Sequence, residues 1–225
     1  KLGGSSFAQT LSNLGQETPS VKDPAYFARV FKAIQHLVST GAILSGHDVS
    51  SGGLLVSLLE MCFPCVQAGM NINLDGLPEI DVVKILFSEN PALVIQVENN
   101  SPAIHYLDEM QIAFHVLGNY TPLPFLVINK SGKTWKLDVH KLRDTWFKTS
   151  YLLDRNQCGP VLEKKRFVNY SRQPLQFKFN EDFTGKFQQY LIDPKRMAPS
   201  GIKSAIIREK GVNGDREMAF MMHLA

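Results

Sequence analysis

Long apolar runs are missing from this chain. No stretch approaches the roughly 18 consecutive apolar residues of a membrane-spanning helix, which excludes a helical membrane protein. Excess charge of either sign is missing too: 24 Lys and Arg stand against 21 Asp and Glu, for a net charge of +3. The short basic run Lys164-Lys165-Arg166 reads as a solvated loop, since a nucleic-acid surface gathers basic residues on one face with aromatics among them. Cysteine is sparse, with only Cys62, Cys65 and Cys158. An odd count in a chain without a recognisable signal peptide favours a reducing compartment, with the cytoplasm as the expected location. Cys62-Phe63-Pro64-Cys65 has redox-motif spacing, but it follows a helical pattern instead of opening a helix and lacks the second pair of a zinc site, so it reads as packing. No internal repeat is visible.

What is present is an ordinary globular composition, 44% apolar and 20% charged over 225 residues, enough for a substantial core. A helix is expected after Ser5 and Ser6 on the stripe Phe7, Ala8, Leu11 and Leu14, closed by Gly15. Asp23 caps a second, with Pro24 in its first turn, Phe27, Val30, Phe31, Ile34, Leu37 and Val38 as its buried face and Gly41 as its end. Further on, strands are expected near 42–44, 70–74, 92–97 and 112–117, and helices over 51–62, 82–87 and 101–110. Lys130-Ser131-Gly132-Lys133 joins strands 125–129 and 134–137 as a hairpin, and Leu142, Trp146, Phe147, Tyr151 and Leu153 form a helix behind it. Helices alternating with strands give an α/β or α+β fold. The hairpin favours a mixed sheet covered by helices over a purely parallel one.

From Asp154 to about Ser200 the pattern dissolves around Gly159-Pro160, Pro174, Asp193-Pro194 and Pro199, which reads as an extended linker with Phe167, Phe177, Phe179 and Phe183 as docking anchors. Residues 202–207 then look like the first strand of another domain and 215–225 like its helix. The chain opens on Lys1 and closes inside an apolar helical pattern, and so reads as a piece of a longer polypeptide. A lobe separated from its neighbours is expected to expose apolar surface and self-associate, so a dimer of the piece is possible.

Chemistry concentrates in Ser45-Gly46-His47-Asp48-Val49-Ser50-Ser51-Gly52-Gly53-Leu54, a strand, a glycine turn and a helix start. There a backbone can approach an anion while helix N–H groups point at it. Asp48 suits a hard cation such as Mg²⁺, which is held by one or two carboxylates plus phosphate oxygens. Spacing leaves a second reading equally open, with Asp48 capping the helix. Ser50 and Ser51 could likewise bind phosphate or cap, and His47 reads as a satisfied turn histidine.

Four segments occur together in order: Leu2-Gly3-Gly4-Ser5-Ser6-Phe7-Ala8-Gln9, His47-Asp48-Val49-Ser50-Ser51-Gly52-Gly53-Leu54, Leu86-Phe87-Ser88-Glu89, and Ile207-Arg208-Glu209-Lys210-Gly211-Val212-Asn213-Gly214-Asp215-Arg216-Glu217-Met218-Ala219. In these the chain resembles the large form of phosphoribosylformylglycinamidine synthase, nearly end to end and most weakly across the linker. The resemblance implies an ATP- and glutamine-dependent ligase of purine biosynthesis that converts formylglycinamide ribonucleotide to the amidine with ammonia from its own glutaminase domain. It places residues 1–154 in a C-terminal lobe like that of aminoimidazole ribonucleotide synthetase, 155–200 in the interdomain linker and 201–225 at the start of a class I glutaminase domain.

By the same resemblance Asp48 matches the Mg²⁺-binding aspartate and Ser50 the ATP-contacting serine. The rest of that ATP or ADP site comes from an N-terminal lobe, and the partners are the other domains of the same polypeptide. Ser51 departs from the acidic residue that many relatives carry. The resemblance also implies that this nucleotide site is structural and that no catalytic residue lies here, because the glutaminase nucleophile falls past Ala225. Glu89 fits a motif position, with capping and direct contact both open. A scaffold role, with Asp48 and Ser50 as helix caps, is the competing expectation.

Overall fold

Ser5 opens the first element. Its hydroxyl accepts the Ala8 N–H at 3.2 Å, and α1 (Ser6–Thr10) follows, ending before Leu14. In this computed structural model, which describes residues 1–169 and 177–224, two compact units form, Lys1–Pro174 and Leu175–Ala225. The second helix starts as its sequence dictates: Asp23 accepts the Tyr26 N–H at 3.0 Å and Pro24 takes the first turn of α2 (Pro24–Ser39), where its missing N–H costs nothing. Its core-facing residues are Ala33 and Leu37, however, and Phe27, Phe31 and Val38 of the expected buried face lie exposed.

The strand expected at 42–44 forms three residues later. β1 (Ser45–Asp48) is followed by α3 (Gly53–Cys62), β2 (Gly69–Asn73), α4 (Val82–Phe87) and β3 (Leu93–Gln96). β1 pairs antiparallel with β3, Ser45 opposite Gln96 and Asp48 opposite Leu93. Its position is therefore set by the partner strand and not by the β-propensity of its own small polar residues.

Next come α5 (Ala103–Glu109), β4 (Gly118–Thr121), β5 (Phe125–Lys130) and β6 (Lys133–Asp138). The strand expected at 112–117 does not form. Gln111 takes φ 53, the Ile112 N–H goes back to Leu107 O at 2.9 Å as a helix cap, and the Ala113 N–H goes to the Tyr26 hydroxyl at 3.0 Å. β2, β4, β5 and β6 make a four-stranded sheet of order β4-β2-β5-β6, with β2 and β5 parallel and the other pairs antiparallel. The mixed α+β architecture read from the sequence is present. Its hairpin turns on Ser131 (φ 50) and Gly132 (φ 74), the paired positive φ that a type I′ turn requires.

Helical structure also continues past Asp154, where the sequence pattern dissolved. Asp138 caps α6 (Val139–Cys158), and α7 (Pro160–Asn169) follows at once. Gly159-Pro160 is a helix stop and a helix start, Gly159 with φ 79 and Pro160 at the first helical position. Phe167 packs in a tilted contact on Tyr151 at 4.7 Å and stacks on Phe147 at 6.1 Å, so it holds the helix pair together. Pro174 lies outside the described residues.

In the second unit, a 3₁₀ turn Phe187–Tyr190 and α8 (Asp215–Leu224) form, while residues 202–207 pair with no described strand. A strand without a ladder partner has nothing to satisfy its backbone, and Ile202 and Ile207 lie exposed. Ala225 lies outside the described residues.

The first unit has two apolar clusters. One gathers Leu58, Leu59 and Cys62 of α3, Ile72, Leu74, Ile85, Leu126, Ile128 and Val139, and the other gathers Ala33, Leu37, Ala103, Leu107 and Ile112. The β1–β3 ribbon lies between them, Val94 packing against the first and Ile95 against the second, as the alternation of a strand requires. Packing of Val94 and Ile95 on opposite sides and the β1–β3 register thus fix where the last residue of β1, Asp48, comes out.

Candidate functional site

Asp48 ends β1 with its side chain 73% exposed. The backbone beneath it is held firmly. Its carbonyl accepts the Ser57 hydroxyl at 3.1 Å and faces His47 Nδ1 at 2.6 Å, and because a carbonyl only accepts, that nitrogen donates. The carboxylate itself has one close contact, Oδ1 to His47 Nδ1 at 3.9 Å.

α3 begins without a cap from its own N-cap residue. Its N-cap is Gly52, at φ 89, and the Gly53 N–H closes the turn on Ser50 O at 2.9 Å. Asp48 and Ser50 therefore do not cap this helix, which removes the capping role from the scaffold reading. Ser50 is exposed at the turn, beside the helix end whose N–H groups carry the positive pole of the dipole.

The glycines serve packing instead of opening the backbone to a ligand. A Cβ on Gly53 would lie 2.7 Å from Leu86 O, so this position lets the start of α3 meet the end of α4. From that same stretch Glu89 reaches the turn, its Oε1 accepting the N–H of Gly52 and the N–H of Ser6, each at 2.8 Å. One carboxylate oxygen thereby joins three of the four segments singled out in the sequence, and Phe7 stacks on Phe87 at 4.5 Å beside it. Burial pushes the Glu89 carboxyl up, but the Gly52 N–H and the Ser6 N–H and hydroxyl outweigh it and hold it below the ordinary carboxylate value of 4.5. Capping is thus the observed role of Glu89. The fourth segment lies in the second unit.

Two residues of this site escape a reading by motif. Glu60, a lone charge in the apolar α3, meets His47 Nε2 at 3.0 Å through Oε2 and accepts the indole N–H of Trp146 at 2.7 Å through Oε1. A single acid in an otherwise apolar helix was the available signal, and its partners come from β1 and α6, remote in sequence.

Among the described residues no three His, Cys, Asp or Glu side chains gather as a metal cluster. A Mg²⁺ ion bound here would take one carboxylate, Asp48, from this chain. That donor set fits a cation whose remaining ligands are phosphate oxygens and water. A cleft of about 290 Å³, lined by Val49, Leu54, Glu79, Lys84, Ser88 and Asn90 among others, opens against the same turn and carries charges of both signs. The cysteines take no part: Cys62 is buried, its thiol pushed up to about 11 by burial and by Cys65.

Comparison with known proteins places the chain. Over its whole length it is 34% identical, across 233 residues, to phosphoribosylformylglycinamidine synthase of Homo sapiens, and it covers 17% of that protein. It is 31% identical across 230 residues to the probable chloroplastic/mitochondrial phosphoribosylformylglycinamidine synthase of Arabidopsis thaliana, covering 16%. The chain thus spans about a sixth of the length of these relatives. The solved structure described as T. maritima PurL complexed with ATP is similar over 55% of this chain and 22% of its own, with 19% identity and a TM-score of 0.48. Residues 1–127, more than half of the chain, match the family of AIR synthase related protein, C-terminal domain, and the chain belongs to that family.

Proposed function

We propose that this chain is one lobe of a phosphoribosylformylglycinamidine synthase, an ATP- and glutamine-dependent carbon–nitrogen ligase of purine biosynthesis, and that it supplies one side of a Mg²⁺–nucleotide site. Similarity over the whole of this chain to named synthases supports the parent enzyme. One observation carries the site: an exposed carboxylate on an anchored backbone stands beside a glycine turn and helix start that neither Asp48 nor Ser50 caps, with Glu89 holding the Gly52 N–H.

In this reading Asp48 takes the cation, Ser50 donates its hydroxyl to a phosphate oxygen, and the α3 N-terminus faces the phosphate charge. Bound Mg²⁺ would neutralise phosphate charge. Glu89 keeps the turn and α1 in register, and residues 1–154 form the lobe, 155–200 the connection and 201–225 the start of a glutaminase domain. No residue of the chain acts on the substrate amide, and the 225-residue chain by itself makes neither amidine nor ammonia.

The test is retention of ADP with Mg²⁺ by the complete synthase, with and without Asp48→Asn, alongside amidine synthesis. We expect retention at least tenfold weaker, with residual turnover because the site is structural. Unchanged retention would overturn the metal assignment, and complete loss of turnover would make the site catalytic.

A further inference from the structure

The strongest interactions around Asp48 touch its backbone and not its carboxylate. They form a chain of named groups that runs from β1 through α3 to α6. The Trp146 indole N–H donates to Glu60 Oε1 at 2.7 Å, and Glu60 Oε2 meets His47 Nε2 at 3.0 Å, an ion pair whenever the ring is protonated. His47 Nδ1 then donates to the Asp48 carbonyl at 2.6 Å. His47 and Glu60 in the middle of the chain are the most covered, at 27% and 23% side-chain exposure, between the Asp48 side chain at 73% and Trp146, 49% exposed as a whole residue. The far end is tied to α6, where Trp146 packs on Phe63 at 5.3 Å. Three elements, β1, α3 and α6, therefore fix one imidazole, and that imidazole fixes one carbonyl.

We infer that Glu60 and Trp146 are positioning residues for the cation ligand Asp48, acting through His47. This rests on the reading of Asp48 as a Mg²⁺ ligand. A carboxylate that supplies a single ligand has no neighbouring protein ligand to correct its aim, so its backbone must arrive already set. Groups that orient a ligand in this way are typically worth about 10- to 100-fold in metal affinity. Ser57 bonds the same carbonyl from inside α3 at 3.1 Å, so the relay adds direction to an anchor that already exists.

The probe is Mn²⁺ titrated into the complete synthase with ADP and followed by electron paramagnetic resonance, with thermal unfolding of the metal-free protein read in parallel. Trp146→Phe removes the indole donor and keeps an aromatic ring against Phe63, and Glu60→Gln keeps shape while removing charge. Each is expected to weaken Mn²⁺ about tenfold while leaving metal-free ADP affinity and the unfolding temperature near those of the parent. Because the two act in series, the double variant should lose little more than the worse single one. If both variants bind Mn²⁺ as the parent does while Asp48→Asn does not, the relay is wrong and the site reading stands. If Asp48→Asn also binds as the parent does, both fall. A drop in unfolding temperature without a change in Mn²⁺ affinity assigns the relay to stability alone and overturns it.

Discussion

Glu89 shows how much one atom can hold. Its Oε1 takes two backbone N–H groups, Ser6 and Gly52, that lie 83 and 37 residues away. Glu89→Ala leaves both donors unpaired and is expected to cost about 2–3 kcal/mol in urea unfolding, with Glu89→Gln costing about 1 because one acceptor remains. The carboxyl is held below 4.5 in the folded chain, so its stabilisation is complete above that pH and disappears as pH falls through the folded value. Glu89→Gln should accordingly flatten the acid limb of a stability-versus-pH curve below about 4.5 and leave the neutral region parallel to the parent's. Thiol labelling checks a second group of residues. Cys65 and Cys158 are exposed, and Asp154 raises the Cys158 thiol through a hydrogen bond, so the expected order is Cys65, then Cys158, with Cys62 reacting only on unfolding. At this scale Asp48 and Ser50 could be proposed from the sequence because the chemistry sits in their own side chains, and the structure places both exposed at the turn. Capping was one of the two roles left open for Glu89, while Glu60 offered only its lone charge in α3 and Trp146 only its place on a packing helix, since their pairing lies in contacts no local pattern encodes.

Among elements, those with local punctuation were readable and those defined by a partner were not. α4 and the β5–β6 hairpin fall where their caps and turn residues put them. β1 moved to meet β3, and 112–117 gave its N–H groups to a helix end and a tyrosine instead of a ladder. The α6–α7 pair was misread because Gly and Pro signal a loop as readily as a helix stop followed by a helix start. The pair is closed by Arg166 on Asp154 at 2.8 Å and by the ring of Phe167. Phe167→Ala should destabilise it by about 2 kcal/mol and speed amide hydrogen exchange in α7, while exchange in the sheet stays as it is. Equal acceleration in both would mean that α7 and the sheet open as one unit.

For the molecule as a whole, the telling feature is apolar surface left outside. Phe27 and Phe31 of α2 are 49% and 58% exposed, with Val38 on the same helix, where the sequence pattern anticipated a buried face. The pattern recorded that this face is apolar, but periodicity cannot say what covers it. The isolated chain is expected to self-associate with rising concentration in sedimentation velocity, and Phe31→Glu should weaken that association at least tenfold, about 1.4 kcal/mol. A single monomeric boundary across the whole concentration range would count against it. Among the described residues no helix is long and apolar enough to cross a membrane.

The parallel pairing of β2 with β5 has a consequence for synthesis. The two central strands are separated by α4, β3, α5 and β4, and Met70 meets Leu126 only after that whole stretch exists. A ribosome delivering the chain from its N-terminus must therefore release β2 with both edges unpaired, the β4 edge until residue 121 and the β5 edge until residue 130 have left the exit tunnel. Any pause in translation between codons 74 and 130 would lengthen the life of that open strand, and this is the interval in which a chaperone has most to protect.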